Sequence, residues 1–175
     1  MKAKLKLFLP SFVAVIIIDQ LTKWWAWTYF HPNGSEGAIT PGSSHLFGTF
    51  RLVYAENPGA FLGMGDSLPP IISTAIFMYL IPLAVIGFSF YVIRSKEFMG
   101  RNVIIMGSVL AGGFSNVIDR YYNDAHVIDF LNVGIGSLRS GIFNVADMFV
   151  MFGVILIILF MYLDGEKLKK TQNET

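Results

Sequence analysis

Five short polar clusters interrupt an otherwise apolar chain, and their residue types are those of acid–base chemistry. They are Asp19-Gln20-Leu21-Thr22-Lys23, Glu56-Asn57-Pro58-Gly59-Ala60, the Gly112–Arg120 stretch (Gly-Gly-Phe-Ser-Asn-Val-Ile-Asp-Arg), Val127-Ile128-Asp129-Phe130 and Phe143-Asn144-Val145-Ala146-Asp147. Asp19 and Lys23 are spaced i,i+4, one helix face, and can pair there. Asp119 has Arg120 beside it and reads as an interfacial ion pair or a helix stop. Asn144 and Asp147 are i,i+3 neighbours opening an apolar helical run, where a helix cap explains one and leaves the other unexplained. Asp129 lies between Ile128 and Phe130 with no adjacent cation. Of six outer-half aspartates, Asp66 and Asp124 read as solvated turn residues, and Asp129 and Asp147 alone combine apolar neighbours with no local cation. Two such carboxylates suit proton transfer, because desolvation raises a carboxyl pKa and a neighbouring carboxylate raises one of the two further.

Other chemistries fit less well. Lys23 with Ser115 could form a Ser/Lys hydrolase pair only if the lysine were an available base. Zinc calls for a His-rich set, whereas His31, His45 and His126 are scattered, and His126 with Asp124 and Asp129 is the best metal grouping. No phosphate-cradling Gly loop is present, and no basic stripe suggests a nucleic acid partner. Without cysteines there are no disulfides or thiolate metal sites. The expectation is a site with no metal and no cofactor.

The elements that must position these residues are membrane helices. Of 175 residues, 54% are hydrophobic and 14% charged, too little polar surface to cover a soluble core. A spanning helix needs about 20 mostly apolar residues, and four stretches qualify: about 8–30, 71–93, 102–118 and 142–163, joined into one membrane-embedded domain over 1–175. A signal-peptide reading of the first stretch fails, because Asp19, Gln20, Lys23 and three tryptophans stand where small cleavage-site residues belong.

Nine of the 13 basic residues lie at the N-terminus (Lys2, Lys4, Lys6), between the second and third spans (Arg94, Lys96, Arg101) and at the C-terminus (Lys167, Lys169, Lys170). Positive short loops mark the cytoplasmic side, so both termini are expected inside and loops 31–70 and 119–141 outside. Within the first outer loop, His31–Ser44 reads as irregular, Leu46–Tyr54 as a strand, Asn57-Pro58-Gly59 as a turn and Phe61–Met64 as a returning strand. With the strand-like Val127–Val133 they form a small outer β-platform. All five clusters then fall near the outer face. Charges within spans are costly and usually functional, so the alternatives are an outward-facing enzyme site and the aspartate relay of a proton-coupled transporter. The apolar runs toward the cytoplasm favour the enzyme.

The five clusters, in this order across four spans from Asp19 to Asp147, resemble the bacterial lipoprotein signal peptidase (signal peptidase II) family. The resemblance implies an aspartic endopeptidase of the cytoplasmic (inner) membrane. It would remove the signal peptide of diacylglyceryl-modified prolipoproteins, cutting before the lipidated cysteine, with membrane lipids and cyclic-peptide inhibitors as further partners. It implies Asp129 and Asp147 as the catalytic pair, and Asp19, Lys23, Asn57, Gly59, Asn116, Asp119, Arg120 and Asn144 as residues that shape the site or contact substrate. Pro58 and the long Pro/Gly/Ser loop before Leu46 depart from the family pattern.

Overall fold

The computed structural model describes residues 1–30, 39–45, 48–59 and 68–173. Four helices dominate it: α1 (Lys2–Phe30), α2 (residues 70–94), α3 (Arg101–Tyr122) and α4 (Val145–Asn173). All four contain stretches long and apolar enough to cross a membrane. Helices α1, α3 and α4 overrun the expected spans by a turn or more at one end, because apolar patterning marks the hydrocarbon thickness, whereas backbone hydrogen bonding continues into the polar flanks. Helix α4 begins at Val145, three residues after the expected start, where Asn144 caps it. Asp119 and Arg120 accordingly lie inside α3, before its last two residues.

Within α2, Ala75–Leu80 forms a π-helical stretch ahead of Pro82. Proline has no N–H for the carbonyl four residues back and its ring crowds it. That carbonyl belongs to Met78, and it accepts the Tyr121 hydroxyl of α3 instead, at 3.0 Å. The π stretch is therefore tied to the end of α3 that carries the Asp119 cluster.

Helix α3 is central. Of its spanning segment 56% is buried, against 17–22% for the others. Lipid supplies no hydrophobic drive between helices, so close approach through small residues holds them. A Cβ on Gly112 would stand 2.6 Å from the Ala146 carbonyl oxygen and 2.9 Å from Val150, so only glycine lets α3 meet the first turn of α4. Away from the platform, an apolar cluster including Phe8, Val85, Val92, Val103, Leu110 and Ile157 fills the bundle. Lys4 donates to the Ser95 carbonyl and Arg101 pairs with Asp164 at 2.6 Å. The basic segments thus gather at one end.

At the other end sits an antiparallel sheet in the order β1 (Ile39–His45), β2 (Phe50–Asn57), β3 (Val127–Ile135) and β4 (Leu138–Arg139). The expected platform and its β2 and β3 strands are present. Part of the stretch expected to be irregular is strand β1, whose register against β2 shifts between Ile39 and Ser44, around Pro41-Gly42. Pairing to the β2 edge overrides the local Gly/Pro signal. The strand expected at Phe61–Met64 lies outside the described residues. Ala26, Phe30, Tyr54, Phe130 and Leu131 pack the sheet onto α1.

Candidate active site

Strand pairing places Asp129. The β2–β3 register runs from Phe50↔Val133 to Asn57↔Val127, with one extra β2 residue between Leu52 and Ala55. Such a bulge re-aims the side chains beyond it. Past it Ala55 faces Asp129, and Asn57, two residues on, shares their side of the sheet. Asn57 Nδ2 donates to Asp129 Oδ2 at 2.8 Å, while its Oδ1 accepts the Gly59 N–H at 2.9 Å and closes the Asn-Pro-Gly turn. Phe143 adds a bridge to Leu131 through bonds of 2.9 and 2.7 Å, which lays the next residue, Asn144, against β3. Asn144 Nδ2 then donates to Asp129 Oδ1 at 2.7 Å.

Helix capping places Asp147. Asn144 Oδ1 accepts the Asp147 N–H at 3.0 Å, and Asp147 Oδ2 accepts the Asn144 N–H at 3.1 Å. This is a reciprocal capping box. It accounts for both residues, contrary to the expectation that a cap leaves one unexplained. The remaining Asp147 oxygen, Oδ1, accepts Asn116 Nδ2 at 2.9 Å. Asn116 stands one turn beyond Gly112, so the close α3–α4 contact is what brings it there.

A buried ion cluster fixes the orientation of Asn116. Lys23 Nζ lies 2.7 Å from Asp19, 2.9 Å from Asp119 and 2.7 Å from Asn116 Oδ1. Asn116 Oδ1 also accepts Asn144 Nδ2 at 3.1 Å. With two donors on the oxygen, the Asn116 amide must turn its nitrogen to Asp147. Asp19 further accepts Ser115 Oγ and the Ala146 N–H, both at 2.7 Å, and Asp119 accepts Gln20 Nε2 at 2.7 Å and the Ile128 N–H at 3.1 Å. One cluster thereby ties α1, α3, α4 and β3 together. Asp19, Lys23, Ser115, Asp129 and Asn144 are each at most 1% exposed.

The expected Asp19–Lys23 pair is present, but Asp119 also pairs with Lys23 and not with its neighbour Arg120. Consecutive helical residues point about 100° apart, which separates the two side chains. Arg120 donates instead to the Gly59 and Asn116 carbonyls and lies 4.6 Å over the Phe77 ring. Lys23 Nζ is taken up by two carboxylates and the Asn116 oxygen, so it is no free base for Ser115, whose hydroxyl donates to Asp19. His126 lies in the turn after α3 with Nδ1 2.7 Å from the Asp124 carbonyl oxygen. Among the described residues no three His, Asp or Glu side chains converge as metal ligands.

Asp129 and Asp147 line one cavity of about 220 Å³, together with Asn57, Gly59, Asn116 and Arg120. Its apolar wall is Phe77 and Ile81 of α2, Gly113 and Val117 of α3, Val127 of β3 and Val150 of α4. Asp19, Lys23, Asp119 and Asn144 support this set from behind. Sequence reading missed the apolar wall. Phe77 is one of 16 phenylalanines in an apolar run, and no composition signal marks it. Burial pushes the Asp129 carboxyl up to about 7, with the Asp147 charge adding to the rise and the Asn57 and Asn144 hydrogen bonds and Lys23 opposing it. A carboxyl in that range can carry a proton at neutral pH and deliver it, which is the requirement for acid–base hydrolysis.

Comparison with known proteins bears on the family and the fold. The family model for signal peptidase (SPase) II matches residues 11–163. The lipoprotein signal peptidase of Syntrophus aciditrophicus (strain SB) is 32% identical over 161 residues, covering 92% of this chain and 95% of its own. That of Bifidobacterium longum (strain DJO10A) is 33% identical over 167 residues, covering 92% and 81%. A bacterial membrane enzyme solved by the in meso method at 2.3 Å has the same fold, with a TM-score of 0.67 at 23% identity over 96% of this chain and 91% of that one.

Proposed function

The chain belongs to the signal peptidase II family, and from that premise we propose that Asp129 and Asp147 are its catalytic pair. It is a multi-pass membrane aspartic endopeptidase that removes signal peptides from prolipoproteins. One observation carries the assignment. Two buried carboxylates share one small cavity, and an Asn144–Asn116 amide chain joins them. Asp129, pushed up to about 7, carries the proton. Asp147 accepts two N–H donors at the first turn of α4, where the helix dipole favours negative charge, and acts as the base.

Asp147 takes a proton from a water held between the pair, and the water oxygen attacks the scissile carbonyl carbon. Asp129 donates its proton to the carbonyl oxygen, giving a neutral tetrahedral diol. Collapse breaks the C–N bond as Asp147 returns its proton to the leaving amine and Asp129 recovers one from the diol hydroxyl. Asn57 and Asn144 orient Asp129, and Asn116 orients Asp147. Gly59 and Arg120 shape the mouth, and Asp19, Lys23 and Asp119 keep the amide chain in register. The apolar wall around Phe77, Ile81 and Val150 suits an extended signal peptide.

The scissile bond precedes a diacylglyceryl-modified cysteine whose acyl chains stay in the bilayer. The platform faces outward from the bacterial inner membrane, and both termini are cytoplasmic. Membrane lipids and cyclic-peptide inhibitors are further ligands of this cleft. The comparisons lend no support to a proton-coupled transporter, and the apolar cluster around Val92 and Leu110 offers a relay no continuation. Purified protein incubated with lipidated and unlipidated forms of one prolipoprotein should shorten the lipidated form only. Equal cleavage of both would mean that the site reads peptide alone.

A further inference from the structure

The β3–β4 hairpin presents large apolar side chains where a sheet bathed in water would carry polar ones. Ile135 is 79% exposed and Leu138 83%. They are register partners and so project from the same face, which Val133, two residues before Ile135, shares. The other face is polar. Arg139, opposite Gly134, donates to Asn132 Oδ1 and to the Gly48 and Thr49 carbonyls. A turn with Gly136 at φ +60 closes the hairpin, so its two faces differ in character up to the tip.

The depth of the hairpin also follows from its packing. Val133, Arg139 and Phe143 line a hollow of about 630 Å³ whose other wall includes Asp147, Met151 and Phe152 of α4. Phe152 lies seven residues inside a spanning segment that begins at Val145, about 10 Å along the axis at 1.5 Å per residue. The stem of the hairpin therefore stands beside the first two turns of the apolar α4 stretch, not beyond its end. Phe152 and Ile155, both at least half exposed, continue the same apolar surface down α4. The stem backbone is prepared for a dry setting: Val133 N–H donates to Ser140 Oγ at 3.0 Å, and Ser140 N–H to the Val133 carbonyl at 2.7 Å. Lipid offers no substitute partner for an unpaired backbone group.

We infer that the apolar face of this hairpin is a lipid-contact surface, with Ile135 and Leu138 dipped among acyl chains and the Arg139 guanidinium turned to the opposite face, toward Gly48 and Thr49. The occupant is lipid because the face is continuous with the lipid-facing flank of α4. That the leaflet is the outer one rests on the orientation proposed above; the contact itself does not. Strand β3 also carries Asp129, six residues from Ile135, so the contact steadies the depth of one carboxyl while α4 holds the other.

The chain has no cysteine, so Ile135→Cys and Leu138→Cys each give a single site for a nitroxide spin label. Both side chains are exposed, and labelling them removes no core packing. In vesicles of phosphatidylcholine and phosphatidylglycerol, both labels should collide more with oxygen than with a water-soluble nickel chelate. They should match Ile155→Cys in the α4 flank and differ from Lys96→Cys in the loop before α3. Labels that favour nickel as Lys96→Cys does would place the hairpin in water and overturn the inference. Labels shielded from both relaxants and broadened by spin–spin coupling would place a second copy of the chain there, which overturns it equally. No catalytic readout is involved, so a failure of the Asp129–Asp147 assignment leaves this result standing.

Discussion

Replacing Asp129 by Asn removes one titrating proton and little else in volume, and the structure allows its effect on stability to be worked out. The carboxyl rises from its ordinary 3.8 to about 7, chiefly through burial. At 1.36 kcal/mol per pH unit that difference is about 4 kcal/mol. The folded pKa is the higher one, so the stabilisation from binding this proton is complete below 3.8 and lost as pH rises through 7. Above pH 7 the fold carries an ionised carboxylate it disfavours. The amide introduced by Asp129→Asn carries no charge, but its NH2 must face one of the two donors, Asn57 or Asn144, at a cost of roughly 1–2 kcal/mol.

The variant should therefore be about 2–3 kcal/mol more stable than the parent near pH 8.5 and about 1–2 kcal/mol less stable near pH 4. Its cleavage of lipidated prolipoprotein should fall by about 10²–10⁴-fold with substrate binding retained. Parent turnover should decline as pH rises above about 7, where the acid loses its proton. Unfolding transitions in detergent between pH 4 and 9, measured beside gel-based cleavage, test all of this. Stability curves that run parallel for parent and variant across that range would contradict the burial of a titrating carboxyl at this position. Near-normal turnover by Asp129→Asn would remove it from the catalytic pair.

Asp147→Asn should lose turnover to a similar extent, about 10²–10⁴-fold, while circular dichroism shows the helices retained. Lys23→Met leaves Asp19 and Asp119 buried without their cation and should destabilise the fold by about 3–5 kcal/mol in a denaturation titration. Gly112→Ala drives a Cβ against the Ala146 carbonyl oxygen and should cost about 1–3 kcal/mol, with cleavage falling as Asn116 moves off Asp147. Cysteines at Ser43 and Asn123 should react with an impermeant reagent in intact cells and one at Ser95 should not; labelling at Ser95 would reverse the topology.

Spans, their number and the gathering of basic residues at one end were legible in the sequence. Hydrophobic length and charge bias are one-dimensional properties, and the bilayer responds to them one segment at a time. The five polar clusters were legible for a related reason. Charged and amide residues in apolar surroundings are costly wherever the chain folds, so their presence alone marks a site.

Partners were not legible, because they depend on which faces meet. Asp119 stands next to Arg120 in the chain, yet helix geometry turns it to Lys23, far away along the chain on α1. The Asn144–Asp147 box could be read as a cap, but the second carboxylate oxygen reaches Asn116 only because glycine at 112 lets two helices touch. Strand β1 forms against local Gly and Pro signals because β2 offers it an edge. Phe77 becomes a wall of the cavity from within the π stretch ahead of Pro82. Chain order supplies the residue types that acid–base chemistry needs. Their protonation, orientation and burial are set by close approach in three dimensions, where desolvation and hydrogen-bond direction act and chain order does not.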